Sequence, residues 1–122
     1  MLESAVGKRF GVIDDDQQRA ISGLEFVQGL VNGALPLDSM TETLGYDIVE
    51  VSKGRVVVAA EPHAGHRNPA GTVHGGLAAT LLDSCMGLAV QSMLDKGLAQ
   101  TTLEFKISFV RPITRQTGLV KA

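Results

Sequence analysis

Asp83 is the residue whose chemistry most needs an explanation. From Leu77 to Leu94 it carries the only formal charge in a run that is otherwise mostly apolar. An unpaired carboxylate is costly to bury, so such a residue needs a partner or a function. Its neighbours at helical spacing are all small, which lets a backbone or a ligand approach the carboxylate: Ala79, Thr80 and Gly87. We therefore consider both a ligand-facing carboxylate and a structural aspartate bonded to a backbone group or to Arg67.

A pair of glycines, Gly75 and Gly76, begins the same segment. Amides at a helix N-terminus lack intrahelical acceptors and carry partial positive charge. Glycine lets a ligand oxygen reach those amides without meeting a Cβ atom. One interpretation is an oxyanion-type donor that polarises a carbonyl. The other is a tight turn from a loop into a helix.

The spacing between Gly75 and Asp83 bears on assembly. Eight residues of helix span roughly 12 Å at 1.5 Å per residue. One substrate carbonyl cannot contact both groups within a single chain. If both act on the same carbonyl, a second subunit must supply one of them, and the spacing then predicts a dimer.

Other familiar chemistries lack support in the sequence. His63, His66 and His74 match no common zinc-ligand spacing, so no metal site is predicted. Cys85 lies in the apolar segment, whereas a reactive thiolate favours an exposed, electropositive position. The sequence contains no serine nucleophile elbow, P-loop or dinucleotide fingerprint, and no cofactor is predicted.

Composition limits the class of protein. The 122 residues are 44% hydrophobic and 20% charged, which indicates one globular domain over residues 1–122. A net charge of -2 argues against a nucleic-acid partner, and a single cysteine excludes a disulfide-stapled fold. Charges at Glu3, Lys8 and Arg9 interrupt the N-terminus before an apolar stretch of signal-peptide length, so we expect a cytoplasmic location.

The N-terminal half predicts a helix followed by a hairpin. Apolar residues recur at helical spacing from about Asp16 to Asn32, and Gly33 provides a stop signal. Two β-rich runs follow, Leu44 to Val51 and Arg55 to Ala60, with turn residues between them. A loop rich in glycine and proline then connects residues 62–76.

The C-terminal half predicts a buried helix and a strand. Residues 77–94 are apolar on nearly every face, which favours a central helix enclosed by a sheet. A membrane span is disfavoured because the run is short and contains Asp83, so no membrane partner is expected. Residues 103–109 alternate apolar and polar side chains, the period of a strand, and Pro112 then interrupts it. Residues 118–121 suggest the beginning of another strand.

The segment HRNPAGTVHGGLAATLLDSCMG resembles the hotdog-fold acyl-CoA thioesterases, in the group of the phenylacetate-pathway thioesterase and human Them2. The family pattern places Asn six residues before His-Gly-Gly and Asp nine residues after that His. Here the matching residues are Asn68, His74-Gly75-Gly76 and Asp83. The resemblance implies an α+β fold in which a curved antiparallel sheet wraps a long central helix, with an extra N-terminal helix. It also implies homodimers or dimers of dimers with active sites between subunits.

The resemblance also implies roles for individual residues. Asp83 would be the nucleophile or the general base, and the Gly75 N–H of the other subunit would hold the thioester oxygen. Asn68 would orient water or substrate, and His74 would support the loop. Thr102 matches a Ser or Thr near the attacking water. The substrate would be an acyl-CoA, with CoA belonging to the substrate rather than acting as a cofactor, and further substrate contacts would come from Gly76 and Arg111.

The sequence differs from the family in one respect, and two alternative functions stay open. Family members continue past the Phe-Val-Arg-Pro block with further strands, so we expect the sheet within residues 1–122 to lack its C-terminal strands. A non-catalytic acyl-CoA or acyl-carrier binding module is one alternative, although it has no use for a buried Asp83. A hotdog hydratase or dehydratase is the other, and it would depend on His74.

Overall fold

A computed structural model of the chain describes residues 2–122. The four α-helices are α1 (Asp15–Arg19), α2 (Gly23–Asn32), α3 (Ser39–Leu44) and α4 (Gly75–Gln91). The three strands are β1 (Tyr46–Ser52), β2 (Arg55–Ala60) and β3 (Val120–Lys121). Single 3-10 turns occupy Glu3–Ala5 and Ala64–His66. The predicted α+β class, with extra helices before the sheet, is confirmed.

The predicted helix from Asp16 to Asn32 is two helices rather than one. Ser22 has an extended backbone and caps α2 through a capping box with Glu25, so a new helix must begin there. Asp14 caps the preceding α1 in the same manner, accepting two backbone N–H groups. Apolar residues recur at helical spacing through both helices, so the spacing alone does not reveal the boundary between α1 and α2. The boundary is indicated by polar capping residues, which the apolar spacing does not include.

The sheet is antiparallel, in the order β1-β2-β3. Strands β1 and β2 form the predicted hairpin, with Tyr46 opposite Ala60 and Ser52 opposite Arg55. Gly54 completes the turn at a φ of 81°, a conformation that favours glycine. Strand β3 adds only a two-residue ladder to the far side of β2.

Helix α4 packs across β2, and α2 packs against β1. The core joins apolar side chains of α2, β1, β2 and α4, among them Val27, Leu30, Ile48, Val58, Leu77 and Leu81. Ser92 fixes the end of α4 to the hairpin, because its hydroxyl accepts a 2.8 Å hydrogen bond from the Gly54 N–H. The face of α4 away from the sheet remains open, with Met86 and Val90 exposed. The expectation of an enclosed helix is therefore met on one face only, because three strands are too narrow to wrap it.

The predicted strand at residues 103–109 does not form a ladder within the described chain. Residues 98–110 have no assigned secondary structure, and the side chains of Leu103 and Val110 are 95% and 94% exposed. Alternation of apolar and polar residues encodes a strand, but a strand also needs a neighbour for its N–H and C=O groups. No such neighbour lies among residues 2–122.

Within the part of the chain that is described, no helix combines the length and the hydropathy that crossing a bilayer requires.

Candidate active site

The Asp83 carboxylate is held by a residue from the extended segment that follows α4. Thr102 Oγ1 donates a 2.7 Å hydrogen bond to Asp83 Oδ1. None of the three ion pairs found among residues 2–122 includes Asp83, so the structural alternative of a pair with Arg67 is not supported. Asp83 is half-buried, and Thr102 is exposed. A short bond to a hydroxyl leaves the second carboxylate oxygen free to act on a ligand.

Asp83 lies on the rim of a cavity of about 400 Å³ between α2, β1 and α4. Apolar side chains line much of the cavity, and its carboxylates are Asp38, at the N-cap of α3, and Asp83 on α4. Apolar lining residues include Ile13, Phe26, Leu30, Leu37, Ile48 and Leu88. A second hollow, of about 390 Å³, shares Asp38, Tyr46, Asp83 and Ser84 with the first. The carboxylate therefore lies where two hollows meet, and an apolar cavity with a few converging polar groups is typical of small-molecule sites.

Tyr46 and Ser84 form a second polar pair next to the carboxylate. Their hydroxyl oxygens are 3.0 Å apart, and Tyr46 is buried at the start of β1. Burial raises the pKa of the Tyr46 phenol, and the nearby negative charges of Asp38 and Asp83 raise it further. Tyr46 therefore remains a neutral hydroxyl that can donate or accept a hydrogen bond at this site.

The glycine turn at the start of α4 is organised by His74. Its Nδ1 accepts a 2.8 Å hydrogen bond from the Gly76 N–H, and its backbone N–H donates to the His66 carbonyl at 2.7 Å. His74 is thus the N-cap of α4. Gly75 is the first residue of the helix, and no hydrogen bond from its N–H is found within the described chain. A donor of this kind suits an oxyanion.

Gly75 and Asp83 do not share a cavity within one chain. Gly75 lines a separate hollow together with Phe109 and Arg111. The Phe109 ring approaches so closely that a Cβ on Gly75 would lie 3.1 Å from it. Gly76 lines a third region, beside His66 and Arg67. Of the predicted site residues, the structure brings together Asp83 and Thr102 on one side and Gly75 and Arg111 on another.

Asn68 is occupied within its own loop. Its side-chain amide donates to Thr72 Oγ1 at 2.8 Å, and its side-chain oxygen accepts from the Ala70 N–H at 3.0 Å. These bonds hold the turn that leads to His74. In this structure Asn68 shapes the loop and makes no hydrogen bond to Asp83 or Thr102.

Three residues of the site lay outside the sequence-based prediction: Tyr46, Ser84 and Gln100. Gln100 packs over Gly87, where a Cβ would lie 3.1 Å from the amide nitrogen, and it lines the main cavity. Ser84 follows Asp83 directly, and Gln100 precedes Thr102 by two residues, so each is adjacent to a residue that was predicted. Tyr46 could be located only once β1 had been placed under α4.

Cys85 and the histidine pair contribute no nucleophile. Burial raises the pKa of the Cys85 thiol, which disfavours the thiolate. His63 and His66 stack with their ring centroids 3.8 Å apart. His66 is bonded to the Leu44 carbonyl and to the His63 N–H, so its ring is used in holding the loop.

Comparison with known proteins identifies the family. The family model described as "Thioesterase superfamily" matches residues 70–122, a range that includes His74, Asp83 and Thr102. The phenylacetic acid degradation protein PaaI of Thermus thermophilus, solved as a point mutant, is 33% identical. The match covers 69% of each chain with a TM-score of 0.59.

The chain belongs to the thioesterase superfamily.

Two further proteins are similar to this member of the thioesterase superfamily. The phenylacetic acid degradation-related protein of Ralstonia eutropha JMP134 is 28% identical, with a TM-score of 0.68 over 79% of this chain and 73% of that one. VNG_1336C of Halobacterium salinarum, to which esterase activity is attributed, is 38% identical over 74 residues, 57% of this chain. The chain spans 49%, about half, of the length of this curated relative. The resemblance seen in Asn68, His74-Gly75-Gly76 and Asp83 is confirmed at the level of the family.

Proposed function

We propose that this thioesterase-superfamily chain hydrolyses acyl-CoA thioesters to a free acid and CoA. The observation that carries the proposal is the Asp83–Thr102 pair on the rim of an apolar cavity. A thioester carbonyl is electrophilic and a thiolate leaves readily, so one carboxylate and one oxyanion donor provide sufficient catalysis. The acyl group occupies the cavity, and its carbonyl lies at the rim beside Asp83.

Asp83 acts by one of two routes, and in both of them the atoms and charges of thioester hydrolysis are accounted for. As a general base it accepts a proton from water, the resulting hydroxide adds to the carbonyl, and CoA leaves as a thiolate that takes up a proton. As a nucleophile it displaces the CoA thiolate to form an anhydride, which water then hydrolyses. In both routes the Thr102 hydroxyl fixes the orientation of the carboxylate, because it already donates to Oδ1.

The oxyanion donor in this proposal is the Gly75 N–H of a second copy of the chain. Gly75 and Asp83 line different cavities within one chain, as the helical spacing requires. The segment at residues 103–110 supplies exposed apolar side chains, such as Leu103 and Val110, and unpaired backbone groups for association of two copies. A homodimer, or a dimer of dimers, is therefore the proposed working unit. Gly76 and Arg111 are proposed to contact the substrate beside Gly75.

The test measures CoA release with a thiol reagent across a panel of acyl-CoAs. Asp83→Asn should lower kcat by at least about a hundredfold while the fold is retained, because the amide neither attacks nor accepts a proton. Asp95→Asn, an exposed aspartate just beyond α4, is the matched control and should leave the rate unchanged. Equal rates for wild type and Asp83→Asn would remove the catalytic role of Asp83. Tight acyl-CoA binding without thiol release would indicate a binding module.

A further inference from the structure

The N-terminal segment of residues 8–13, here called the strap, forms one wall of the main cavity. Gly11 and Ile13 line that cavity together with Asp83, and Ile13 belongs to the buried core. The strap contains neither helix nor strand, apart from one bridge between Phe10 and Leu37. Its position must therefore come from tertiary contacts rather than from secondary structure of its own.

A buried ion pair anchors the start of the strap to the sheet. Lys8 Nζ lies 2.7 Å from Asp47 Oδ1 on β1, and the two side chains are 7% and 0% exposed. Lys8 Nζ also donates to the Ile48 carbonyl at 3.0 Å. Asp47 Oδ1 accepts the Ile48 N–H at 2.8 Å, whereas its Oδ2 is buried without a hydrogen-bond partner in the described chain. Buried pairs of this kind fix position more reliably than they add stability.

Hydrogen bonds from backbone and side-chain groups hold the remainder of the strap. The Gly11 N–H donates to the Leu37 carbonyl, and the Leu37 N–H donates to the Arg9 carbonyl, each at 2.8 Å. Gln18 Nε2 closes the far end with a 3.0 Å bond to the Ile13 carbonyl. The Arg9 guanidinium adds a fourth anchor by donating to the Ala34 carbonyl at 2.9 Å, and Lys8–Asp47 is the only ion pair among these anchors.

We infer that the strap sets the size of the acyl group that the cavity accepts, with Lys8 and Asp47 as its positioning residues. The inference rests on the proposed function, because it assigns the cavity to the acyl group of the substrate. Ile13 contacts the acyl group directly, and the ion pair keeps the strap closed against the loop at Leu37. With the strap displaced, the cavity opens on this side and a longer chain can extend past Ile13. Asp83 and Thr102 belong to other segments, and their hydrogen bond to each other keeps its geometry.

The test compares the double variant Lys8→Met/Asp47→Asn with wild type. The double change removes both charges together, so neither is left buried alone. The matched control is Arg55→Met, which breaks the exposed Arg55–Glu50 pair, neither of whose residues lines the cavity. The expected result is a rise of about tenfold or more in the ratio of kcat/KM for myristoyl-CoA to that for octanoyl-CoA. The control ratio should not change. An unchanged ratio in a folded double variant would overturn the inference.

A second variant tests the inference if the double variant misfolds. A second readout tests it if the proposed acyl-CoA hydrolysis is not observed. Ile13→Ala leaves every strap anchor in place and should shift the same ratio in the same direction. Competition of octanoate and myristate against the fluorescent fatty acid cis-parinaric acid measures chain-length selection without catalysis. If wild type hydrolyses no acyl-CoA, the proposed function fails, but a shift in fatty-acid preference still supports the strap. If neither variant changes the relative affinities, the strap does not select the ligand.

Discussion

Asp83 owes its accessibility to the residues around it on α4. Its neighbours one turn away are small, and the group that reaches its oxygen is the hydroxyl of Thr102, a residue 19 positions further along the chain. The sequence indicates the carboxylate and its small surroundings correctly. It does not indicate that the Asp83 carboxylate is only partly buried, because its burial depends on where the segment after α4 lies.

Tyr46 provides a pH-dependent signal at the residue scale. Burial is the main cause of its raised pKa, so the phenol ionises in the unfolded chain before it ionises in the folded one. The folded state then binds more protons than the unfolded state above about pH 10, and stability falls as the pH rises. We expect the free energy of unfolding of wild type to decrease over this range more steeply than that of Tyr46→Phe.

The measurement is chemical denaturation at a series of alkaline pH values. Because Tyr46 is the only tyrosine in the chain, absorbance titration of tyrosinate also reports its pKa directly. A folded-state titration at the ordinary tyrosine value, or parallel pH profiles for the two proteins, would contradict the assignment.

Asn68 shows where residue-level prediction reached its limit. The spacing to His74 identified it correctly as part of the family pattern, but its side chain is bonded to Thr72 and Ala70. A spacing records which residues occur together and not which hydrogen bonds they make. The proposed contact of Asn68 with water or substrate therefore remains a prediction.

At the scale of elements, the close crossing of α2 and α4 is the most constrained contact. Gly23, the first residue of α2, donates its N–H to the Leu94 carbonyl at 3.0 Å. A Cβ on Gly23 would lie 1.6 Å from the Gln91 carbonyl oxygen, so the two backbones touch. This contact fixes the cavity wall of α2 relative to the helix that bears Asp83.

Gly23→Ala should therefore destabilise the fold by at least about 3 kcal/mol, because backbone atoms and not flexible side-chain ends must move. Gly11→Ala is the matched control, since a Cβ there meets Pro36 at an ordinary 3.8 Å. Denaturant unfolding of both variants measures the difference. Similar free energies of unfolding for the two variants would show that α2 and α4 can move apart without destabilising the fold.

Prediction of the elements succeeded where local signals were sufficient. The hairpin is correct because alternation, β-branched residues and a glycine turn all lie within a few residues of one another. Residues 103–109 have the alternation of a strand but pair with no other strand in the described chain. Pairing depends on a neighbour far away in sequence or in another copy of the chain. The division of the N-terminal helix at Ser22 was missed because apolar spacing outweighed the capping signal.

At the scale of the whole molecule, the segment at residues 103–110 determines the predicted association. We expect a wild-type mass of at least twice that of one chain in solution, with backbone pairing along this segment. Lys106→Pro removes an N–H from the middle of the segment and should shift the protein towards a single chain. Lys106→Ala keeps the N–H and should retain the wild-type mass.

Analytical ultracentrifugation of the three proteins measures these masses. A monomeric wild type would contradict the proposed dimer, and a Lys106→Pro variant with unchanged mass would show that association does not depend on pairing along this segment.

The separation of Gly75 from Asp83 has a kinetic consequence for the proposed enzyme. Each protomer then carries half of every site, so the reacting groups meet only in the associated form. On progressive dilution the molecules would stay folded while their specific activity fell, since each would hold an acid without its oxyanion donor. Catalytic output would depend on the square of protein concentration when protomers are scarce and become linear once they are plentiful.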